Sequence, residues 1–544
     1  MIFWILVKRK ILSRIPTRHA LDFFGSFAIL ALLFTVNNIC LKERNTSVGL
    51  LDKQATVAKP GFNRWLVPPA ALAVHLCIGQ AYAFSVFNIP LAEYGNWSTH
   101  WWNETSLIFA IAIFFLGVSA AFGGRWLERA GPRKAMFTSA CLFSGGFFVS
   151  ALGIYLENLW IIFLGYGVLS GCGLGLGYVS PVSTLIKWFP DRRGLAAGLA
   201  IMGFGGGAMI GAPLGESLMR FYSSNIGLLP AAITDSHGLM GTFLTMGTIY
   251  FFSMAVGAMA IRIPAEGWMP KGWTPPVAKK GDKKAAMMTQ NHVHVNSAHK
   301  TPQFWLLWSI LFLNVTAGIG VLSQASPMIQ HMFSVETVVA AGFVGLLSFF
   351  NMAGRVVWSP ASDYIGRKNT YYIILVGGMI CYLLITPAQV IGSMMLFIVL
   401  CAFIMSFYGS GFSTIPAYLA DMFGTRFVGA IHGRLLTAWS LAGLSGAMIV
   451  NGLTRFRLNQ NAERVLATID DDPAIREALD TIIAASTETM TLFDAAIEYV
   501  RPGSYDLSMY AMAILLLIGA ICNFLMRPVH AKHHMTQKEL ERER

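Results

Sequence analysis

Twelve apolar runs of about 20 residues recur along the chain, at roughly 66–90, 106–124, 136–156, 159–186, 195–217, 241–263, 304–325, 338–358, 371–390, 393–419, 429–453 and 507–527. A run of that length crosses the roughly 30 Å hydrocarbon layer as a helix. The runs do not alternate apolar with polar residues, as membrane strands must. A lipid bilayer is therefore the expected environment, and the expected fold class is an all-α membrane protein. Composition agrees, with 55% hydrophobic and 12% charged residues. The formal charge of +12 does not point to nucleic acid, because most Lys and Arg sit in short loops between runs. The seven cysteines lie mostly inside apolar runs without a shared ligand spacing, and read as packing residues. No Ser/His/Asp, metal-ligand or cofactor constellation is visible, so neither an enzyme nor a bound cofactor is expected.

The runs divide six and six. Residues 61–263 and 303–529 form two halves, joined by the Lys-, Pro- and His-rich stretch 264–302, which reads as a solvated linker. Basic residues mark one side: Arg125, Arg129, Arg133 and Lys134, then Lys187, Arg192 and Arg193, the linker lysines, and Arg367 with Lys368. By the positive-inside bias these loops, the linker and the tail 530–544 are cytoplasmic. Residues 1–60 are read as an N-terminal extension, with 1–47 upstream of the functional chain through a misassigned start. The stretch 454–506 is a long loop on the opposite side. In "DDPAIREALDTIIAAS", Asp472 is placed as a helix cap and Pro473 at the first helical position, with Ile475, Leu479 and Ile482 on one face.

An internal repeat ties the halves together. "GRWLERAGPRK" (124–134) and "SPASDYIGRK" (359–368) align Glu128 with Asp363 and Gly131 with Gly366, both at an offset of 235 residues. The same offset relates Pro181 to Pro416 and Gly194 to Gly429. Two parallel six-helix repeats about an axis along the membrane normal are a secondary-transporter organisation. The loop motif resembles the signature of the major facilitator superfamily, with Glu128 where the family usually has Asp. The resemblance implies twelve helices in two pseudo-symmetric halves. It also implies a gating role for Glu128, Arg129, Gly131, Arg133, Asp363, Gly366 and Arg367, in which the acids pair with helix N-termini and arginines when the cytoplasmic side is shut.

The stretches "GQAYAFSVFNIPL" (79–91), "TPQFWLLWSILFLNVTAGIGVLSQASPM" (301–328) and "FSTIPAYLADMFGTRFVGAIHGRLLTAW" (412–439) resemble the oxalate/formate antiporter family, which overlaps bacterial monocarboxylate transporters. Arg355 sits in the eighth run, eight residues before Asp363, too deep for easy snorkelling. Asn351 lies one turn away on the same face. The eighth-helix arginine of the family binds carboxylate, and Arg355 occupies that position. Read from the residues alone, Arg355 serves an anionic ligand, a structural salt bridge or a water-facing role. The family's oxalate transporters carry a lysine in a Thr-Ala-Lys stretch of helix eleven, where this chain has Thr437, Ala438 and Trp439. A single cation favours a monocarboxylate such as lactate, pyruvate or formate, and Trp439 either walls the pocket or only packs.

Gln80, Tyr82 and Tyr408 are further substrate-binding candidates, with helix packing as the competing role. His75, His432 and Asp421 are the candidates for a proton relay, against the alternative of core histidines satisfied by hydrogen bonds. The sequence thus predicts a monomeric secondary transporter of small carboxylate anions in the bacterial plasma membrane, working by alternating access as an antiporter or proton symporter. The competing functions are an oxalate/formate exchanger, an exporter of another small organic compound, and a non-transporting membrane sensor.

Overall fold

Helix boundaries follow the local chemistry of the chain. Pro302 opens one long helix, with the Thr301 hydroxyl accepting from the Phe304 N–H. The Ser393 hydroxyl does the same for the Leu396 N–H at another helix start. A computed structural model describes residues 49–97, 105–224, 236–265, 267–272, 289, 291–485, 490–536 and 539. Met1–Gly49 form one unit and Leu50–Arg544 a second. The extension expected at 1–47 lies outside the described residues.

The second unit holds twelve helices long and apolar enough to cross a membrane. They are α1 (Arg64–Gly95), α2 (Ser106–Ala130), α3 (Pro132–Tyr155), α4 (Leu159–Trp188), α5 (Arg193–Ser224) and α6 (Leu239–Ala260) in the first half. The second half has α7 (Pro302–Phe333), α8 (Thr337–Ile365), α9 (Arg367–Val390), α10 (Met394–Phe423), α11 (Val428–Thr468) and α12 (Asp506–Phe524). The fold class expected from the apolar runs is the one observed. Most helices extend beyond the apolar windows, because polar turns at each end continue the backbone hydrogen bonding. Three are irregular inside: α1 is a 3-10 helix over Gln80–Phe87, α4 a π-helix over Phe163–Ser170, and α11 is interrupted at Leu436.

The repeat is visible in the backbone. Gly131 and Gly366 each end one helix and begin the next, with φ +88° and +87°. An L side chain rarely adopts that conformation, so glycine is required at both turns. Pro181 and Pro416, related by the same offset, both lie inside helices.

The halves meet chiefly through α5 against α8 and α2 against α11. Glycines permit this approach: a Cβ on Gly198 would lie 2.8 Å from the Arg355 carbonyl oxygen, and one on Gly117 would lie 2.3 Å from that of Leu436. Near the basic end the Ser359 hydroxyl donates to Gly194 O across the halves (2.9 Å). Near the opposite end Asn88 Nδ2 donates to Ser323 O (3.4 Å) and Asn451 Nδ2 to Ser106 Oγ (3.2 Å).

The linker is less solvated than its composition predicts. Its described residues strap the basic end: Val293 N–H donates to Phe423 O, and Arg434 donates to Val295 O and Asn296 Oδ1. Val293, Val295 and Ala298 are buried there. The tail joins the strap, as Met535 N–H donates to His292 O. Residues ahead of α1 pack there too, with Ala58 and Ile263 paired through their backbones.

At the other end α11 runs on beyond the apolar run that ends near residue 453. The 32 residues of Thr437–Thr468 make about 48 Å of helix. Two short helices, Pro473–Ala485 and Leu492–Val500, fold onto this extension as a cap. Asp472 Oδ1 accepts from Ala474 N–H, and Ile475, Leu479 and Ile482 join Ala462, Ala495 and Ala496 in a small separate core.

Candidate functional site

The deepest charge in the bundle is Arg355, with no solvent exposure. The position of Asn351 one turn away on α8 lets Arg355 Nε donate to its Oδ1 (3.0 Å). Arg355 Nη1 reaches across to the other half and donates to Ile201 O on α5 (2.9 Å). Its Nη2 has no hydrogen-bond partner, and among the described residues no carboxylate pairs with it. Gly205 makes room for it: a Cβ there would lie 2.8 Å from Arg355 Nε. Gly205→Ala is accordingly expected to cost about 1–3 kcal/mol of stability by overpacking. Thermal unfolding measures the effect.

Aromatic rings enclose the guanidinium. Its carbon lies 5.7 Å from the Phe204 ring centre and 5.4 Å from that of Phe412. Trp439 is also fully buried and touches the same two rings, at 5.2 and 4.3 Å. Tyr178 packs edge-on against both Trp439 and Phe204. The Tyr82 and Tyr408 hydroxyls, one from each half, are hydrogen-bonded at 2.7 Å. Tyr82, Tyr178 and Tyr408 all lie within electrostatic reach of Arg355.

Several polar atoms are left over at this centre, three of them N–H groups. Arg355 Nη2, Asn351 Nδ2 and Trp439 Nε1 are buried N–H donors without acceptors. Leaving such groups unpaired costs stability. An anion brings the acceptor oxygens that such donors lack, and guanidinium matches carboxylate with two parallel hydrogen bonds.

The structure thus gathers Arg355, Asn351, Trp439, Tyr82 and Tyr408 around one point. Gln80 is not among them: its Oε1 accepts from the Tyr166 hydroxyl (3.1 Å) within the first half. Three rings escaped the sequence reading: Tyr178, Phe204 and Phe412. Phe412 had a usable signal, since it stands four residues after Tyr408 on one helical face. Phe204 and Tyr178 had none beyond being aromatic.

His75 and His432 flank Tyr178 from opposite halves. His75 Nε2 lies 3.3 Å from Tyr178 O, and the His432 ring centre is 6.2 Å from that of Tyr178. His75 Nδ1, His432 Nε2 and the Tyr178 hydroxyl have no partner. Asp421 lies elsewhere, at the basic end of α10. Its Oδ2 accepts from Arg367 Nε (3.0 Å), while Arg367 Nη2 pairs with Asp363 Oδ1 (2.5 Å). The Asp363 carboxylate abuts Gly194 at the start of α5, where a Cβ would fall 2.5 Å from its Oδ2. An anion at that helix N-terminus is electrostatically favourable. In the first copy of the loop, Arg133 Nη1 donates to Leu50 O (2.6 Å), Arg129 is exposed, and the Glu128 side chain lies outside the described residues.

Arg367→Gln strips two acids of their cation. It is expected to weaken the closed basic end by about 3–5 kcal/mol. Cysteine accessibility at that end, measured on a Cys introduced at Ser359, should rise in the variant.

Among the described residues no group of three or more His, Cys, Asp or Glu is placed to hold a metal ion.

Twelve spanning helices in two repeats, with a buried site where they meet, define a membrane transporter. The chain belongs to the Major Facilitator Superfamily, whose family model matches residues 61–447. It is similar to the oxalate:formate antiporter of Oxalobacter formigenes, at 24% identity over 71% of this chain and 83% of that protein. It is also similar to the apicoplast pyruvate carrier 1 of Toxoplasma gondii, at 25% identity over 64% of this chain and 69% of the carrier. Among solved structures, a bacterial homologue of the human lysosomal transporter Spinster, inward-facing and unoccupied, aligns with 88% of this chain and all of that one. The TM-score is 0.58 at 15% identity, a likeness of fold.

Proposed function

We propose that this protein carries small monocarboxylate anions such as lactate, pyruvate or formate across the membrane by alternating access, with Arg355 as the anchor. The observation that carries this reading is the buried guanidinium, fixed by Asn351 and Ile201, with one nitrogen left over and, among the described residues, no carboxylate paired with it. Burying a cation is expensive unless an anion completes it. The aromatic walls supply apolar contact for a short carbon chain. The similarity to an oxalate:formate antiporter and a pyruvate carrier supports a carboxylate substrate. Trp439, standing where the resembling oxalate transporters carry lysine, favours a single negative charge.

The halves touch on both sides of Arg355, which suits an occluded stage of the cycle. In the proposed orientation the basic end is cytoplasmic and the cap end faces outward, in a plasma membrane. Exchange of anions, or co-transport of a proton, would drive the flux; His75 and His432 beside Tyr178 are the groups available for a proton.

A competition panel of short carboxylates in proteoliposome counterflow, run with and without a pH gradient, tests the reading. Saturable exchange of formate, lactate or pyruvate is expected, with weaker competition by oxalate. Absence of flux for every short carboxylate would overturn it.

A further inference from the structure

α1 changes its winding at Gln80. The eight residues Gln80–Phe87 form a 3-10 helix between α-helical turns on either side. Runs of this winding beyond three or four residues are uncommon, and one inside a longer helix often marks a hinge or a sequence under strain. The internal repeat supplies a comparison. Val315–Leu322 of α7, the stretch 235 residues on, winds as a regular α-helix. The fold therefore accommodates the α winding at this place, and the first half departs from it.

Unpaired groups gather on the same stretch. Gln80 Nε2, Ser85 Oγ and Asn88 Oδ1 are buried without hydrogen-bond partners. Leaving them so costs stability. What holds the stretch is a pair of bonds to the second half. The Tyr82 and Tyr408 hydroxyls meet at 2.7 Å, and Asn88 Nδ2 donates to Ser323 O (3.4 Å). Within the first half, the Thr105 hydroxyl donates to Asn88 O (2.9 Å).

The two ends of the stretch differ in freedom. Before it, Gly79 lies against α5 so closely that a Cβ there would fall 2.3 Å from Phe204 O. After it, Asn88, Ile89, Ala92, Glu93 and Asn96 line an open cavity of about 740 Å³ at the cap end, which Arg455 and Arg501 also line. One end is fixed by backbone packing, and the other has room to turn.

We propose that Gln80–Phe87 is a winding switch, 3-10 while the cap end is shut and α when it opens. Eight residues wound as α are about 4 Å shorter and turn through about 160° less. The change draws Asn88 from Ser323 and Tyr82 from Tyr408, with Gly79 as the pivot. The outer gate is then built into one helix of the first half, in addition to any rocking of whole halves.

Spin-label distances in a cysteine-free full-length chain in nanodiscs test this. No substrate is present, so the outcome is independent of the carboxylate reading. The double variant Asn451→Ala/Tyr408→Phe removes the bonds to Ser106 and Tyr82 without altering α1. Labels at Glu93 and Glu336 span the halves at the cap end, and their separation should grow in the variant. Labels at Glu93 and Leu156 lie at the cap end of the first half, and should shift by about 4 Å, the shortening of the stretch. Labels at Leu66 and Val256, at the basic end of the same half, should keep their wild-type distance. A cap end that opens while the Glu93–Leu156 distance holds is rocking of a rigid half, and overturns the switch. An equal shift of the Leu66–Val256 pair overturns it as well, because the change would not start at Gly79. A double variant that stays shut also overturns it, since the stretch would then be held by something other than these bonds.

Discussion

Arg355→Gln is expected to abolish carboxylate flux, lowering uptake about 100-fold or more, and to leave the protein folded. Removing one partner of a buried, hydrogen-bonded charge pair costs about 2–5 kcal/mol, and here the other partner is the substrate. The substitution deletes the donors to Ile201 O and the leftover Nη2, together with the charge. Folding responds differently. Among the described residues Arg355 is paired with no acid, so its removal orphans no carboxylate there and relieves the desolvation of a buried cation. The ligand-free variant should therefore unfold at the wild-type temperature or above it. Arg355→Lys should fall between the two, because an ammonium keeps the charge but lacks the planar fork. Uptake of lactate and formate beside thermal unfolding in detergent checks both halves of the expectation. A large drop in thermal stability with normal flux would assign Arg355 a structural role.

Trp439→Lys has the second large effect, and it is a change of selectivity. The indole fills a space bounded by Tyr178, Phe204 and Phe412. Truncating a buried Trp costs about 3–5 kcal/mol, and the lysine stem recovers part of that volume. The new ammonium would stand among rings that also border Arg355, so the ligand-free protein gains repulsion between two cations. A dianion relieves it by bridging them. The variant should lose monocarboxylate flux about tenfold, gain oxalate or malonate flux, and regain thermal stability when oxalate is added, by preferential binding to the folded state. Failure of every dicarboxylate to stabilise or be transported would remove Trp439 from the pocket.

These two residues show how far local chemistry could be read. Arg355 stood out because a lone guanidinium in an apolar run violates the solvent preference of its surroundings, and such violations are visible without a fold. Trp439 drew notice only through its neighbours in the family resemblance. The rings beside it, Tyr178, Phe204 and Phe412, obey the apolar pattern. An aromatic residue in a spanning helix looks the same in sequence whether it faces lipid, a neighbour or a cavity. Gln80 shows the converse: its polarity was legible, but the turn of α1 aims it at Tyr166 instead of Arg355. Asp421 was legible as an embedded acid, while its partner Arg367 lies on a different helix, reached only when α9 and α10 pack.

By itself the sequence determined the twelve helices, the parallel repeat and the two glycine turns at Gly131 and Gly366. Each of these follows from short-range physics: the length of an apolar run against a bilayer, the spacing of repeated anchors, and the backbone angle only glycine adopts freely. The tertiary structure alone decided that α5 and α8 approach closely enough for Ile201 to hold Arg355. It also decided that Trp439 packs on the two rings that flank Arg355, that His75 and His432 meet at Tyr178, and that Arg455 and Arg501 line a cavity with residues of the first half. Those placements depend on the rotation of each helix about its axis, which is set by packing against helices far away in the chain.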